Sequence, residues 1–158
     1  MRIGHGVDAH RLVPGRSLML GGVAVPHHAG LEGHSDGDVV CHALGDAVLG
    51  AAGLGDVGLH FPSSDERWRG VGGADLLRRC AELAREAGFA VASAHAVAIA
   101  QAPRLAPHTA AMAAVIAAAL GVDPACVAVS ATSTDGMGFT GRGEGIAASA
   151  VVLLSPVS

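Results

Sequence analysis

The chain has 158 residues, just over half of them hydrophobic, with 3% aromatics and a net charge of −4. That length suits one domain, and the acidic balance excludes a basic stripe for nucleic acid or an anionic membrane. All ten basic residues are arginines, which excludes a lysine nucleophile or Schiff base. Arg2 to Leu12 reads as a strand despite Gly4 and Gly6, and Leu18 to Pro26 as short strands around Gly21 and Gly22. His27 to Gly37 reads as a Gly/His-rich loop. Asp38 to Ala52 reads as a helix, with Ser35 or Asp36 placed to cap it. A second helix, Ala74 to Ala87, stops at Gly88. Phe89 to Ala102 reads as a strand, Pro107 to Leu120 as an Ala-rich helix, and Cys126 to Thr132 and Ile146 to Leu154 as strands. Gly136 to Gly145 reads as a glycine-rich loop between those last two strands.

The two last strands are expected to be antiparallel neighbours. The pattern predicts an α+β protein, a two-layer α/β sandwich with a mixed sheet and about three helices on one face. Small apolar side chains bury little area each, so burial by oligomerisation is expected. Cys41, Cys80 and Cys126 are widely spaced, odd in number and form no CxxC. They read as reduced thiols of a cytoplasmic protein. The N-terminus has no apolar signal core, and no apolar run has membrane-spanning length.

Asp8 and His10 stand two apart on the first strand. Strand side chains alternate, so both project to one face, about 7 Å apart at Cα. His42, about one turn into the first helix, is placed to close a metal site. Two imidazoles and a carboxylate suit zinc and leave a coordination position open, as catalytic sites do. Mn²⁺ or Fe²⁺ suits the same set. Taken by itself a DxH pair is a weak signal. Cys41 diverges from His42 by about 100° around the helix and reads as packing. Asp38 and Asp46 share the face of His42 and read equally as ligand-orienting groups or as capping and buried carboxylates.

Three further stretches suit phosphate. Gly33-His34-Ser35-Asp36-Gly37 runs into a helix start and reads equally as an anion site or as a plain capping loop. Ala131-Thr132-Ser133-Thr134-Asp135 stacks hydroxyls at a strand end; taken locally it reads first as a Ser/Thr turn, and otherwise as a phosphate site where Asp135 is placed to hold Mg²⁺. Arg104 ends another strand beside Gln101 and Pro103, and pairs with a phosphate or with solvent.

Read together, RIGHGVDAHRL, GHSDGDVVCHALGDAVLGAAGLGDVGLHFP, IAQAPRLAPH and TGRGEGIAASAVVLL resemble the 2-C-methyl-D-erythritol 2,4-cyclodiphosphate synthases of the non-mevalonate isoprenoid pathway. The resemblance spans nearly the whole chain, read as one cyclodiphosphate synthase domain over residues 1–158. It implies a homotrimer with active sites between adjacent subunits. It implies cyclisation of 4-diphosphocytidyl-2-C-methyl-D-erythritol 2-phosphate with release of CMP. It puts the zinc ligands on Asp8, His10 and His42 and transition-state stabilisers on His34 and Ser133. Asp8, Ala9, His10, His34 and Ser35 also fall where that family contacts substrate. Its methylerythritol phosphate contacts fall on Asp56, Val57 and Gly58 and on Phe61, Pro62, Ser63, Ser64 and Asp65. Its cytidine pocket falls on Ala100, Gln101, Ala102, Pro103, Arg104, Leu105 and Ala106. Its phosphate contacts fall on Ala131, Thr132, Ser133, Thr134 and Asp135, and its Phe139 and Arg142 positions are kept. A second ion, Mg²⁺ or Mn²⁺, is implied with the diphosphate at Asp135.

The chain departs from that family at Ser63 and Ser64, where an acidic FPDTD pattern is common, and at Ser133 for Thr, Asp135 for Glu, Arg104 for Lys and Gly73 for Ser. The outward face of the first strand, bearing His5, would line a cavity on the trimer axis. There Val7 and Ser149 replace bulkier or charged residues. The alternative from the residues themselves is a zinc phosphohydrolase that activates water on a nucleotide diphosphate, and a third reading is a non-catalytic binding module.

Overall fold

The computed structural model describes residues 1–158. Its centre is a five-stranded mixed sheet in the order β4-β1-β7-β5-β6, with a separate β2–β3 hairpin. The strands are β1 (Arg2–Pro14), β2 (Leu18–Leu20), β3 (Val23–Val25), β4 (Ala29–Leu31), β5 (Phe89–Ile99), β6 (Val127–Thr132) and β7 (Gly145–Pro156). The helices are α1 (Val39–Ala52), α2 (Val57–His60), α3 (Gly73–Glu86), α4 (Thr109–Leu120) and α5 (Gly138–Gly141). β7 pairs antiparallel with both β1 and β5, and β6 pairs parallel with β5.

Two sequence expectations are corrected here. β6 and β7 are not neighbours, because the long strand β5 lies between them. The crossover through α4 returns β6 parallel to β5, on the side away from β7. The loop from His27 to Gly37 also contains a strand, since Ala29–Leu31 pairs with the end of β1. Two shorter departures are local. The fifth strand ends at Ile99, and the glycine-rich loop before β7 carries the four-residue helix α5.

The alternation of β1 decides which side is covered. Gly4 and Gly6 are buried and Asp8 and His10 half-buried, whereas Ile3, His5, Val7 and Ala9 are exposed. α1 covers β1 and β7, α3 packs on α1 and β5, and α4 packs on β6, all joined in one apolar core. The opposite sheet face carries Ile3, Val7 and Val151 in the open, at 74%, 60% and 40% exposure. There His5 hydrogen-bonds to Ser149 at 2.9 Å and His95 to Ser130 at 3.0 Å.

α1 is buried along its length except at His42, Asp46 and Gly50. Its N-cap is Asp38, not Ser35 or Asp36: the Asp38 carboxylate accepts from Cys41 N at 3.0 Å. The same carboxylate accepts from Gly21 N and Gly22 N at 2.9 and 2.7 Å, tying the β2–β3 turn to the helix start. Burial raises the Asp38 carboxyl while these backbone donors work to lower it. Asp36 instead receives Asp38 N and Gly73 N. The helix ends at Gly53, which adopts a left-handed φ of 77°.

Candidate metal centre and substrate pockets

Asp8 and His10 leave the covered face of β1 near its middle, and His42 meets them from the first turn of α1. Asp8 Oδ2 lies 3.0 Å from His10 Nε2 and 3.2 Å from His42 Nδ1. The three ligand atoms fall within 4.8 Å of one another. The His10 and His42 rings meet edge to face, with centroids 5.6 Å apart. A carboxylate oxygen flanked by two imidazole nitrogens is a donor set that fits a divalent transition metal.

Burial acts to raise the Asp8 carboxyl, but the hydrogen bonds from His10 and His42 prevail and hold it at about 2. The hydrogen bond to Asp8 raises His10 against the opposing effect of burial. Asp8 is therefore an anion over the whole physiological range. Asp46 and Asp56 share a groove of about 390 Å³ with the three ligands. Burial raises Asp46, and its Oδ1 accepts from Val57 N at 2.8 Å rather than from a ligand. The Asp38 carboxylate likewise makes no hydrogen bond to the His42 imidazole, being spent on the helix cap and the β2–β3 turn. Neither carboxylate orients a ligand, so the blander sequence reading of both is correct. Cys41 is fully buried and its thiol is pushed well up by burial, as expected of a packing residue.

The group touching a ligand from behind is Ser35, whose Oγ lies 3.0 Å from His42 Nε2. The sequence suggested Ser35 as a helix cap or substrate contact and gave no sign of this partner, because a seven-residue separation across a loop has no fixed geometry. Arg16 was also missed. Its Nη2 donates to the carbonyls of Gly33 and Ser35 at 3.2 and 2.5 Å.

A cavity of about 380 Å³ opens beside the ligands. His10, His34, Ser35 and His42 form its polar side, and Val57, Gly58, Phe61, Pro62, Ser63 and Trp68 contribute to the rest. His34 Nε2 lies 3.3 Å from the Asp65 carbonyl. The Asp65 carboxylate is held down by Arg67, which pairs with it at 2.7 Å. Asp65 and Ser64 do not line the cavity. Trp68, the single tryptophan, packs edge-on against Phe61 at 4.8 Å and lines the cavity, a role its sequence position does not signal.

The remaining predicted residues gather elsewhere. Ala100, Gln101, Pro103, Arg104, Leu105, Ala106, Ala131, Thr132 and Ser133 line a second cavity of about 280 Å³ at the C-terminal ends of β5 and β6. Ala102 turns to a neighbouring pocket with Arg142, which is paired to Glu144 at 3.0 Å. Gly136 N donates to Gln101 Oε1 at 3.0 Å, joining the two loops of this cavity. Asp135 adopts a left-handed φ of 52°, and Ser133 Oγ donates to its Oδ1 at 3.3 Å. The Thr134 hydroxyl donates to the Met137 carbonyl at 2.6 Å. Ala9 and Phe139 border a further hollow with Arg11 and Glu144. The metal cavity and the hydroxyl-lined cavity share no residue.

The model of the YgbB family matches residues 1–155. A curated 2-C-methyl-D-erythritol 2,4-cyclodiphosphate synthase of Desulfosudis oleivorans is 56% identical over 98% of this chain and 92% of its own length. The synthase of Geobacter sulfurreducens is 55% identical over 98% of each chain. Among solved structures, the bifunctional IspDF of Campylobacter jejuni superposes with a TM-score of 0.95 at 39% identity. That match covers 99% of this chain, which spans only 42% of the bifunctional one. A 2C-methyl-D-erythritol-2,4-cyclodiphosphate synthase solved with CDP bound superposes with a TM-score of 0.89 at 38% identity, covering 98% of this chain and 100% of that one.

Proposed function

The chain belongs to the YgbB family, that of the 2-C-methyl-D-erythritol 2,4-cyclodiphosphate synthases, and we propose that Asp8, His10 and His42 hold the metal ion of that family's reaction. The protein is a phosphorus–oxygen lyase of isoprenoid-precursor biosynthesis. It converts 4-diphosphocytidyl-2-C-methyl-D-erythritol 2-phosphate into the 2,4-cyclodiphosphate and CMP. A 2-phosphate oxygen forms a bond to the β-phosphorus, the bond from that phosphorus to the bridging oxygen breaks, and CMP leaves with the bridging oxygen. None of the relatives described above is a hydrolase, so the phosphohydrolase alternative has no support.

The observation that carries the residue assignment is the convergence of Asp8 Oδ2, His10 Nε2 and His42 Nδ1 within 4.8 Å beside a cavity. Zn²⁺ suits that set, with Mn²⁺ next, and when bound it supplies Lewis-acid polarisation of a phosphate oxygen. The attacking phosphate is already anionic, so the chain supplies positioning and charge complementarity rather than a strong base. His34 and the Ser35 hydroxyl face the same cavity and donate to phosphate oxygens there. Val57, Gly58, Phe61, Pro62 and Ser63 line that cavity and hold the methylerythritol phosphate end, with Asp56 in the adjoining groove and Ser64 and Asp65 outside the lining.

In this assignment the cytidine end and its phosphates lie at Ala100–Ala106 and Ala131–Asp135, with Ser133 beside the transferring phosphorus. Asp135 carries Mg²⁺ or Mn²⁺ against the diphosphate. One substrate must then span two cavities that share no residue within a chain. A homotrimer, with the metal cavity of one copy facing the hydroxyl cavity of the next, brings them together. The apolar side chains Ile3, Val7 and Val151 on the uncovered sheet face supply surface for such an assembly. No helix is long and apolar enough to cross a membrane, and the reduced-thiol reading places this one-domain enzyme in the cytoplasm.

The test is the product. With substrate, Zn²⁺ and Mg²⁺, ³¹P NMR should show a cyclic diphosphate appearing in step with CMP. CMP with linear phosphates would defeat the lyase reading, and no turnover would leave a binding module.

A further inference from the structure

We propose that Ser35 is a positioning residue for the ligand His42, fixing which ring nitrogen is offered to the metal; this rests on the metal reading given above. His42 points Nδ1 at Asp8 Oδ2, 3.2 Å away. Its other nitrogen, Nε2, faces Ser35 Oγ at 3.0 Å. Once Nδ1 gives its lone pair to a metal, the neutral ring carries its proton on Nε2. The His42 side chain is only 13% exposed, so that N–H needs an acceptor, and Ser35 Oγ stands in the accepting position.

Ser35 is only 7% exposed, and its hydroxyl also accepts from Gly37 N at 3.2 Å. Those two accepted bonds use both lone pairs of the oxygen. Its own O–H is then left for the cavity that Ser35 lines. One side chain therefore orients the ligand and presents a donor to whatever phosphate lies beside it.

Ser35 cannot easily drift from this place. Arg16 donates to its carbonyl and to that of Gly33. Gly70 N donates to the His34 carbonyl at 2.9 Å, and Asp36 N to the Val71 carbonyl at 3.2 Å. The start of α1 makes no demand on the hydroxyl, since Asp38 caps that helix. Apart from Gly37 N, the partner within reach of the hydroxyl is the imidazole. Groups behind a metal-bound histidine commonly hold its ring orientation and basicity, and their loss costs about 10–100-fold in affinity.

Zinc affinity, read by competition with a chromogenic chelator, tests this in Ser35→Ala, with Ser63→Ala from the same cavity as the control. Ser35→Ala should bind Zn²⁺ about 10–100-fold more weakly and shift the visible bands of the Co²⁺-loaded protein. Ser63→Ala should bind as the unaltered protein does, and all metal-free forms should share one far-UV circular dichroism spectrum. Unchanged affinity in Ser35→Ala overturns the proposal, as does an equal loss in both variants. A loss accompanied by collapse of the metal-free spectrum also overturns it, because Ser35 would then be a folding residue. An unaltered protein that binds no Zn²⁺ would defeat the metal reading instead, which keeps the two failures distinct.

Discussion

Gly6 of β1 lies directly beneath the Ala43 carbonyl of α1, so close that a Cβ at Gly6 would overlap that oxygen. Gly4 meets the Ala47 carbonyl one turn further along in the same way. The two glycines set how near α1 comes to the sheet. That approach brings His42, the neighbour of Ala43, within 3.2 Å of Asp8. Gly6→Ala should push the helix away, destabilising the metal-free protein by about 3 kcal/mol or more and weakening Zn²⁺ binding. Denaturant unfolding and chelator competition check the two effects, and a variant with unchanged zinc affinity would break the link.

Asp38 is the second structural support of the centre. Asp38→Ala removes the acceptor of three backbone N–H groups, from Gly21, Gly22 and Cys41. With the cap lost and donors left unsatisfied in a buried place, a cost of roughly 3–5 kcal/mol is expected. A melting temperature within a degree or two of the unaltered protein would show that water replaces the carboxylate.

Much of this was readable along the chain because its signals are local. The alternation of β1 put Asp8 and His10 on one face, and helix periodicity set Cys41 apart from His42. The strand order was not readable, since β6 and β7 each carry an apolar strand pattern and nothing local says that β5 lies between them. The helix cap was missed because Ser35, Asp36 and Asp38 are all capping residue types. Distant partners chose among them: His42 for Ser35, Gly73 for Asp36, and Gly21 with Gly22 for Asp38. Arg16 gave no sequence signal, because its partners are backbone carbonyls seventeen and nineteen residues away.

The metal-free protein should show an unusual histidine. The hydrogen bond to Asp8 raises His10 above its ordinary 6.5, with burial opposing. A raised native value means that the pair's stabilisation is fully present below pH 6.5, down to the 3.8 of a free carboxylate, and is lost as pH rises through the native value of His10. Asp8 stays ionised down to about 2, so the pair first comes apart at its basic end. An NMR titration should place His10 above 6.5, and Asp8→Asn, which removes the largest raising contact and leaves burial opposed by the weaker Glu32 backbone contact, should lower it. A His10 value untouched by Asp8→Asn would contradict the ion pair.

Two inactive variants should complement one another. His42→Ala disables the metal cavity and Ser133→Ala the hydroxyl cavity. If each working site takes one cavity from each of two copies, subunits refolded together in equal amounts should regain about a quarter of full activity. Mixtures as inactive as their parents would place both halves of the site in one chain.

The most direct test of the centre is a zinc titration of metal-stripped protein at saturating Mg²⁺ and substrate, followed by the ³¹P signal of the cyclic product. Activity should rise linearly and level at about one Zn²⁺ per chain, and His42→Ala should stay inactive throughout while keeping its fold. Full cyclisation before any zinc is added, or by His42→Ala, would contradict the assignment of Asp8, His10 and His42.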